Sequence, residues 1–532
     1  MGGGREATDA PRWVWHDAPQ WYPALLAAGV RVARCHDLRL SHAILRTSAL
    51  VEKDAAVREA SGWDAAAHVA PPEQLPALFE LEGPSAAGPP ADLDEALREF
   101  ARQRAAVAGS RDPSRLRLLV AAESAGALVA EELRAAGLPW DAAEHDRILV
   151  ETLGERPAAG GPPAKLTAAA LRVRDALGDP AVSLDSQPKL LRALHRVGVL
   201  VESTSRWELA EQQHPVIEPL LEYKKLARLL SANGWAWLEE WVSDGRFRPV
   251  YVPGGVVTGR WASSGGGALQ LPRQLREAVR ADPGWKLVVA DVAQLEPRVL
   301  AAMSSDTALA SAARGRDLYA GIVDSGAVAT RQEAKIAILG AMYGATTGES
   351  GRLVPRLRRA YPRAMGLVDE GARIGEDGGI VSTWLGRTSP PPSEVWASAQ
   401  SRATEAEASG ADETRARRWA RDRGRFTRNF VVQGTAAEWA LVWLADLRAR
   451  LQDLAPVPEA QGAPRSGPVF ARRPHLAFFL HDEVIVHAPE SLAETAAQAV
   501  TDAAATAARL LFGDFPLDFR LDVHITDTAL KD

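Results

Sequence analysis

Two aspartates stand where apolar strands end. Asp291 closes the run KLVVAD (286–291), and Asp482 sits between His481 and Glu483 in FFLHDEVIVHAP (478–489). An ionised carboxylate at either place is costly to bury without a partner. One such aspartate alone reads as a turn cap or half of a salt bridge. Two on neighbouring strands instead suit hard divalent cations such as Mg2+, which take oxygen ligands and keep waters or substrate phosphates as the others. That layout fits an in-line displacement at phosphorus, with one ion activating a hydroxyl and the other stabilising the leaving pyrophosphate. Glu483 is either a third acid beside the metal or a hydrogen-bonded carboxylate next to it.

Positive charge lies between the two acids in sequence. RQEAKIAILGAMYG (331–344) spaces Arg331, Lys335, Leu339 and Tyr343 four residues apart, which puts them on one face of a helix. Arg-x3-Lys alone is equally an amphipathic helix with a solvated basic end. With the tyrosine added, the face can hold a polyphosphate, bidentate through Arg331 and as a point charge through Lys335, while Tyr343 offers a ring to a base.

The elements that must position these groups follow from periodicity. DEALREFARQRAAVAG, ESAGALVAEELRAAG and HPVIEPLLEYKKLARLL are helical in spacing, whereas KLVVADVAQLEPRVLAAMS reads as a strand running into a helix and HLAFFLHDEVIVHA as a strand pair. The first half is therefore mostly helical and the second mixed. Residues 71–95 and 154–166 are Pro/Gly/Ala-rich and read as loops or linkers, and 456–474 as a flexible insertion before the last hairpin. A length of 532 residues with 46% hydrophobic content predicts several domains with sizeable cores. No run of about 18 apolar residues occurs and MGGGREATDAPRW lacks a signal-peptide core, so a cytoplasmic protein without membrane contact is expected. Cys35 is the single cysteine, which excludes an intramolecular disulfide and predicts a buried thiol. A net charge of -6 is uninformative about partners.

These blocks together resemble the polymerase region of family A DNA polymerases, the DNA polymerase I family. DVAQLEPRVLAAMS is similar to the first palm motif, RQEAKIAILGAMYG to the fingers helix and HDE to the second palm motif; VTGRWASS (257–264), LREAVRADPGW (275–285), TWLGR (383–387) and RNFVVQGTAAEWA (428–440) fit in order. The resemblance covers roughly residues 120–532. It implies an α+β multidomain fold: a degenerate exonuclease-like α/β domain over 1–115, then a right-hand polymerase over 116–532. Within the latter, the thumb spans about 165–250, the palm about 251–305 and 425–532 on an antiparallel sheet, and the fingers about 306–424. It further implies a monomer that extends primer-template DNA with dNTPs, nucleoid-associated, using two Mg2+ ions or Mn2+ in their place.

Residue by residue, the resemblance makes Asp291 and Asp482 the catalytic metal ligands, with the carbonyl of Val292 helping. Glu296 becomes a steric gate against a ribose 2′-hydroxyl. Arg331 and Lys335 bind the triphosphate, Lys335 also protonating the pyrophosphate. Gln294, Leu339 and Tyr343 complete the nucleotide site. Arg260, Asn429 and Gln433 read the minor groove, and His481 holds the primer end. For Asn429 and Gln433 the residues alone also allow blander roles, Gln433 and its small neighbours in helix packing and Asn429 on its own backbone.

Some positions depart from the family pattern. Leu339 stands where an aromatic residue is usual, and Val292, Ala293 and Pro297 are milder changes, a proline being tolerated in a first helical turn. In CHDLRLSHAIL (35–45), Ser41 replaces an exonuclease metal-binding aspartate, and no tyrosine occurs between Tyr22 and Tyr223. Asp17 and Asp37 then read as a surface acid or a cap, and proofreading is expected to be absent. Three rivals remain: a metal-dependent 3′-5′ exonuclease, a nucleic-acid-binding protein of polymerase fold with little synthesis, and a phage-type RNA polymerase, against which Glu296 and HDE argue.

Overall fold

A computed structural model describes residues 10–64, 89–90, 92–158, 160–265, 267, 271–344, 348–405 and 407–530. Most of the 71–95 linker lies outside them. The chain divides into two compact units, Met1–Leu138 with Pro249–Leu269 and Ala281–Asp527, and Pro139–Arg248 with Gln270–Arg280 and Thr528–Asp532.

The first unit begins with a β-α-β turn. Strand β1 (Arg12–Trp15), helix α1 (Ala18–Ala27) and strand β2 (Arg34–Asp37) follow in order, with the strands parallel. Asp37 ends β2 and caps α2 (Leu38–Thr47) through Leu40 N–H. Helices α3 (Leu93–Ala108) and α4 (Pro113–Ala136) start at Asp92 and Asp112, each side chain accepting from a first-turn N–H. Trp15, Tyr22, Leu26, Cys35, Leu128 and Phe470 share one core cluster. The Cys35 thiol is buried, and its Sγ donates to Ser124 O at 3.3 Å. A buried ionic network closes this region: Glu132 of α4 accepts from Arg31, Arg448 and the Tyr22 hydroxyl.

The four-stranded sheet explains the apolar run before Asp291. Strands β3 (Trp285–Val292), β4 (His475–Leu480), β5 (Glu483–Pro489) and β6 (Leu521–Thr526) pair antiparallel in the order β6-β3-β5-β4. Leu287, Val288, Val289 and Ala290 are all buried, so both faces of the central strand are covered and the sequence is continuous rather than alternating. Register sets Glu483 and Asp522 opposite Asp291, and Asp482 falls in the turn between β4 and β5.

Beyond β3 come α9 (Leu295–Met303), α10 (Leu318–Asp324), α11 (Arg331–Tyr343) and α12 (Pro362–Glu376). The 44-residue helix α13 (Gly410–Asp453) buries Trp439 and Trp443, the latter donating to Val500 O of α14 (Ala493–Phe512). Helices α12 and α13 approach so closely that a Cβ at Gly375 would collide with the Thr427 side chain.

The second unit contains helices α5 (Ala142–Leu153), α6 (Ala164–Leu177), α7 (Gln187–Arg196) and α8 (Ile217–Asn233). Trp140, His145, Trp237 and Phe247 form its aromatic cluster. Burial there depresses the His145 imidazole to about 4.

One expectation is corrected. Residues 456–474 form a packed segment, not a flexible insertion: Phe470, Ala463 and Val457 are buried, Arg31 lies over the Phe470 ring, and Arg472 donates to Val457 O at 2.6 Å. Apolar anchors and arginine-to-carbonyl bonds outweigh the chain-breaking composition. The 154–166 segment does lie between two helices, ending at Leu153 and starting at Ala164.

Candidate active site

The β4–β5 turn is held to the end of β3 by its backbone, because Val292 N–H donates to Asp482 O at 3.0 Å. His481 sits in the left-handed region at φ 57°, which lets the turn close in two residues. Asp482 is thereby set close to Asp291. Burial first, and then the charge of Asp291, push the Asp482 carboxyl up to about 7. Burial and the Arg260 charge lower the His481 imidazole. Two acids that cannot comfortably ionise together are a donor set a cation would relieve. Among the described residues no group of three His, Cys, Asp or Glu side chains is arranged to hold a metal ion. Glu483 is buried on β5 opposite Asp291.

Asp482 and His481 line a cavity of about 280 Å3, whose other walls include Arg260, Glu296, Leu339 and Tyr343. Arg260 comes from the loop between strands 250–252 and 262–265. Its neighbour Trp261 is buried edge-on against Phe479 of β4, and Tyr251 donates to Phe479 O at 2.9 Å. Glu296, in the first turn of α9, accepts from both Arg260 and the Tyr343 hydroxyl. This carboxylate is fixed from two sides, and burial and the bond to Glu296 push the Tyr343 phenol up.

Helix α11 starts with a reciprocal capping box between Thr330 and Glu333. Arg331, Lys335 and Tyr343 are exposed along one face, with Leu339 half-buried between them. Leu339 both lines the cavity and packs on the core beneath. Arg331 donates to Asp317 Oδ2 at 2.8 Å, while no carboxylate among the described residues pairs with Lys335.

Asn429 and Gln433 lie on α13, half-buried and outside the cavity lining. They precede Ala437 and Ala440, which do line it, by one to three turns on the same helical face. Gly434 lets Thr383 and the Thr258 carbonyl approach this helix, in line with a packing role for the small residues there.

The structure brings Asp291, Val292, Gln294, Glu296, Arg260, His481, Asp482 and the α11 face to one end of the sheet. Three further residues come with them that motif reading did not single out. Tyr319 and Trp261 line the cavity, and Asp317 binds Arg331 and Gln294. For Asp317 the signal was GRDLYAG, an aspartate immediately before an apolar helical run, which marks a helix cap but not its second contact.

Comparison with known proteins bears on the family and the fold. The family model for DNA polymerase family A matches residues 195–527. The DNA polymerase I of Chloroflexus aurantiacus is 29% identical over 344 residues, 59% of this chain and 32% of its own. The thermostable DNA polymerase I of Thermus aquaticus is 25% identical over 465 residues, 80% of this chain and 47% of its own. The chain thus spans between a third and a half of the length of these relatives. The POL domain of Pol1 from M. smegmatis, solved in complex with DNA primer-template and dNTP, superposes with a TM-score of 0.58 at 18% identity, covering 82% of this chain and 73% of that one, and so shares the fold. No helix among the described residues is long and apolar enough to cross a membrane.

Proposed function

The chain belongs to DNA polymerase family A, and from that premise we propose that it is a DNA-directed DNA polymerase that extends a primer 3′-hydroxyl with dNTPs and releases pyrophosphate. The observation that carries this reading is the Asp291–Asp482 pair: two neighbouring carboxylates, one raised to about 7, at the edge of a cavity that Arg260, Glu296 and the α11 residues Leu339 and Tyr343 also line. Asp291, Asp482 and the Val292 carbonyl would hold divalent ions, Mg2+ or Mn2+, whose chemistry is to lower the pKa of the primer hydroxyl and to balance charge on the leaving phosphates.

The chain's own groups do the rest. Arg331 and Lys335 bind the triphosphate from the exposed face of α11, and the Lys335 ammonium holds the proton that the pyrophosphate takes up. Leu339 and Gln294 bound the nucleotide pocket, and Tyr343 lies where the template base is received. Glu296, held by Arg260 and Tyr343, cannot swing aside to admit a 2′-hydroxyl, which selects dNTPs. His481 meets the primer end, and Asn429 and Gln433 meet the minor groove. Glu483 supports the pair from β5.

We assign the thumb to about 165–250, the palm to about 251–305 and 425–532, the fingers to about 306–424, and a degenerate exonuclease-like region to 1–115. The chain acts as a cytoplasmic monomer on nucleoid DNA. Proofreading is absent in this reading, because the acids that follow or end the N-terminal strands already have protein partners: Arg39 pairs with Asp17 at 3.0 Å, and Asp37 accepts from Ala18 and Leu40 N–H. The test is extension of a labelled primer-template with Mg2+ by the intact chain and by Asp291→Ala and Asp482→Ala. Extension with dNTPs but not NTPs, lost in both variants, is expected. Extension that survives either substitution, or equal use of NTPs, overturns the reading.

A further inference from the structure

We infer that Asp317 is a positioning residue for the incoming nucleotide, setting the direction of the Arg331 guanidinium and the Gln294 amide. The inference rests on the proposed role of those two groups. One carboxylate serves three partners on three elements. Its Oδ1 accepts from Ala320 N–H at 2.8 Å and so caps α10, while Oδ2 accepts from Arg331 Nη2 at 2.8 Å and from Gln294 Nε2 at 3.0 Å. The other end of the Gln294 amide accepts from Leu318 N–H at 3.3 Å, so the amide is held in one orientation by a carboxylate at its NH2 and an N–H at its oxygen.

Helix stability gives no reason for an arginine at this place. Arg331 is the first residue of α11, where the helix dipole disfavours a cation, and the ion pair with Asp317 is exposed enough to contribute little. What the pair fixes is direction. Asp317 takes one Nη, and the Tyr319 ring lies under the guanidinium at 5.4 Å, which leaves the remaining donors of the fork for a phosphate.

The support behind Asp317 is rigid. Arg298, fully buried on α9, donates to the carbonyls of Ala293 (2.9 Å), Ala313 (3.0 Å), Arg316 (2.8 Å) and Asp518 (2.8 Å). These bonds tie the loop that delivers Asp317 to the start of the helix that carries Gln294 and Glu296. The carboxylate therefore joins two parts of the site that the sequence keeps 23 residues apart.

The test compares dNTP KM, kcat and primer-template Kd for the intact chain, Asp317→Ala, Asp317→Asn, Arg331→Ala and the Asp317→Ala/Arg331→Ala double variant. Asp317→Ala is expected to raise the dNTP KM roughly tenfold, the scale of one misdirected charge-assisted hydrogen bond, with kcat within a few-fold and primer-template Kd unchanged. Asp317→Asn has one neutral acceptor oxygen where the carboxylate uses two, so its KM falls between those of the intact chain and Asp317→Ala, and the double variant is no worse than Arg331→Ala. A capping role alone would lower the active fraction or kcat and leave KM in place. An unchanged KM in Asp317→Ala beside a raised KM in Arg331→Ala overturns the inference alone. An unchanged KM in Arg331→Ala overturns the nucleotide-site reading and the inference with it.

Discussion

Asp291 with Asp482 and Asp17 with Asp37 are both pairs of aspartates at or just beyond strand ends, and in both one member is pushed up to about 7 by burial and by its neighbour's charge. Their surroundings differ. Around the N-terminal pair the protein supplies its own donors: Arg39 lies on Asp17, and two backbone N–H groups lie on Asp37. Both carboxylates are fully buried there. Around the second pair, Asp482 faces a cavity, with Arg260, Glu296, Leu339 and Tyr343 among its other walls. A strained acid pair is thus not in itself a site; what sets the second pair apart is the cavity that Asp482 lines.

The sharpest way to break this comparison is to delete acids from each pair in turn. Asp482→Ala should lower primer extension by on the order of 10^3-fold or more, since loss of a metal ligand removes several kcal/mol of charge stabilisation. Asp17→Ala should leave the rate per folded molecule within about twofold. Equal losses in single-turnover extension would erase the distinction.

Next in size is the guanidinium itself. Arg39→Met leaves Asp17 and Asp37 buried without their cation, a change that costs about 3 to 5 kcal/mol where a buried pair is broken. A clear drop in melting temperature with near-normal extension by the surviving folded protein is expected. An unshifted melting temperature would mean that Arg39 does not balance the pair.

The cavity side is sharpened by Leu339→Phe. An aromatic ring at this half-buried wall position should tighten dNTP binding by roughly 1 to 3 kcal/mol if it stacks fully on the base, read as a lower KM at unchanged primer-template Kd. A KM that stays put would mean that Leu339 faces the core only.

The last contrast is a pH slope. Asp37 has an ordinary value of 3.8 and a folded value near 7, so the folded state holds its proton where the unfolded chain has lost it. Stability from this group is greatest below about 4 and declines as pH rises toward 7. Asn at this position is neutral throughout. The melting temperature of Asp37→Asn relative to the intact chain should therefore improve from pH 4 to pH 7, and a constant difference would contradict the shift.

These contrasts also mark what the sequence discloses. The strand ending at Asp291, the HDE turn and the four-residue spacing on α11 were readable because local period and chain-end acids carry them. Asp37 was readable as a cap for the same reason. Asp17, expected as a cap or a surface acid, is buried with no side-chain cap bond, since the Arg39 that balances it meets it only through the fold. Asp317 shows the same limit: its cap to Ala320 is local, but its bonds to Gln294 and Arg331 depend on how three elements pack. Residues 456–474 misled because proline and glycine are visible as breakers, whereas the burial of Phe470 against Trp15 and Tyr22 is tertiary.

In the proposed function only the second pair does metal chemistry. The most direct test is a 5′-labelled primer on a longer template, incubated with the intact chain and Mg2+ with and without dNTPs and resolved by length. Longer products with dNTPs and an intact primer without them are predicted. A primer shortened in the absence of dNTPs, or one never lengthened in their presence, would contradict it.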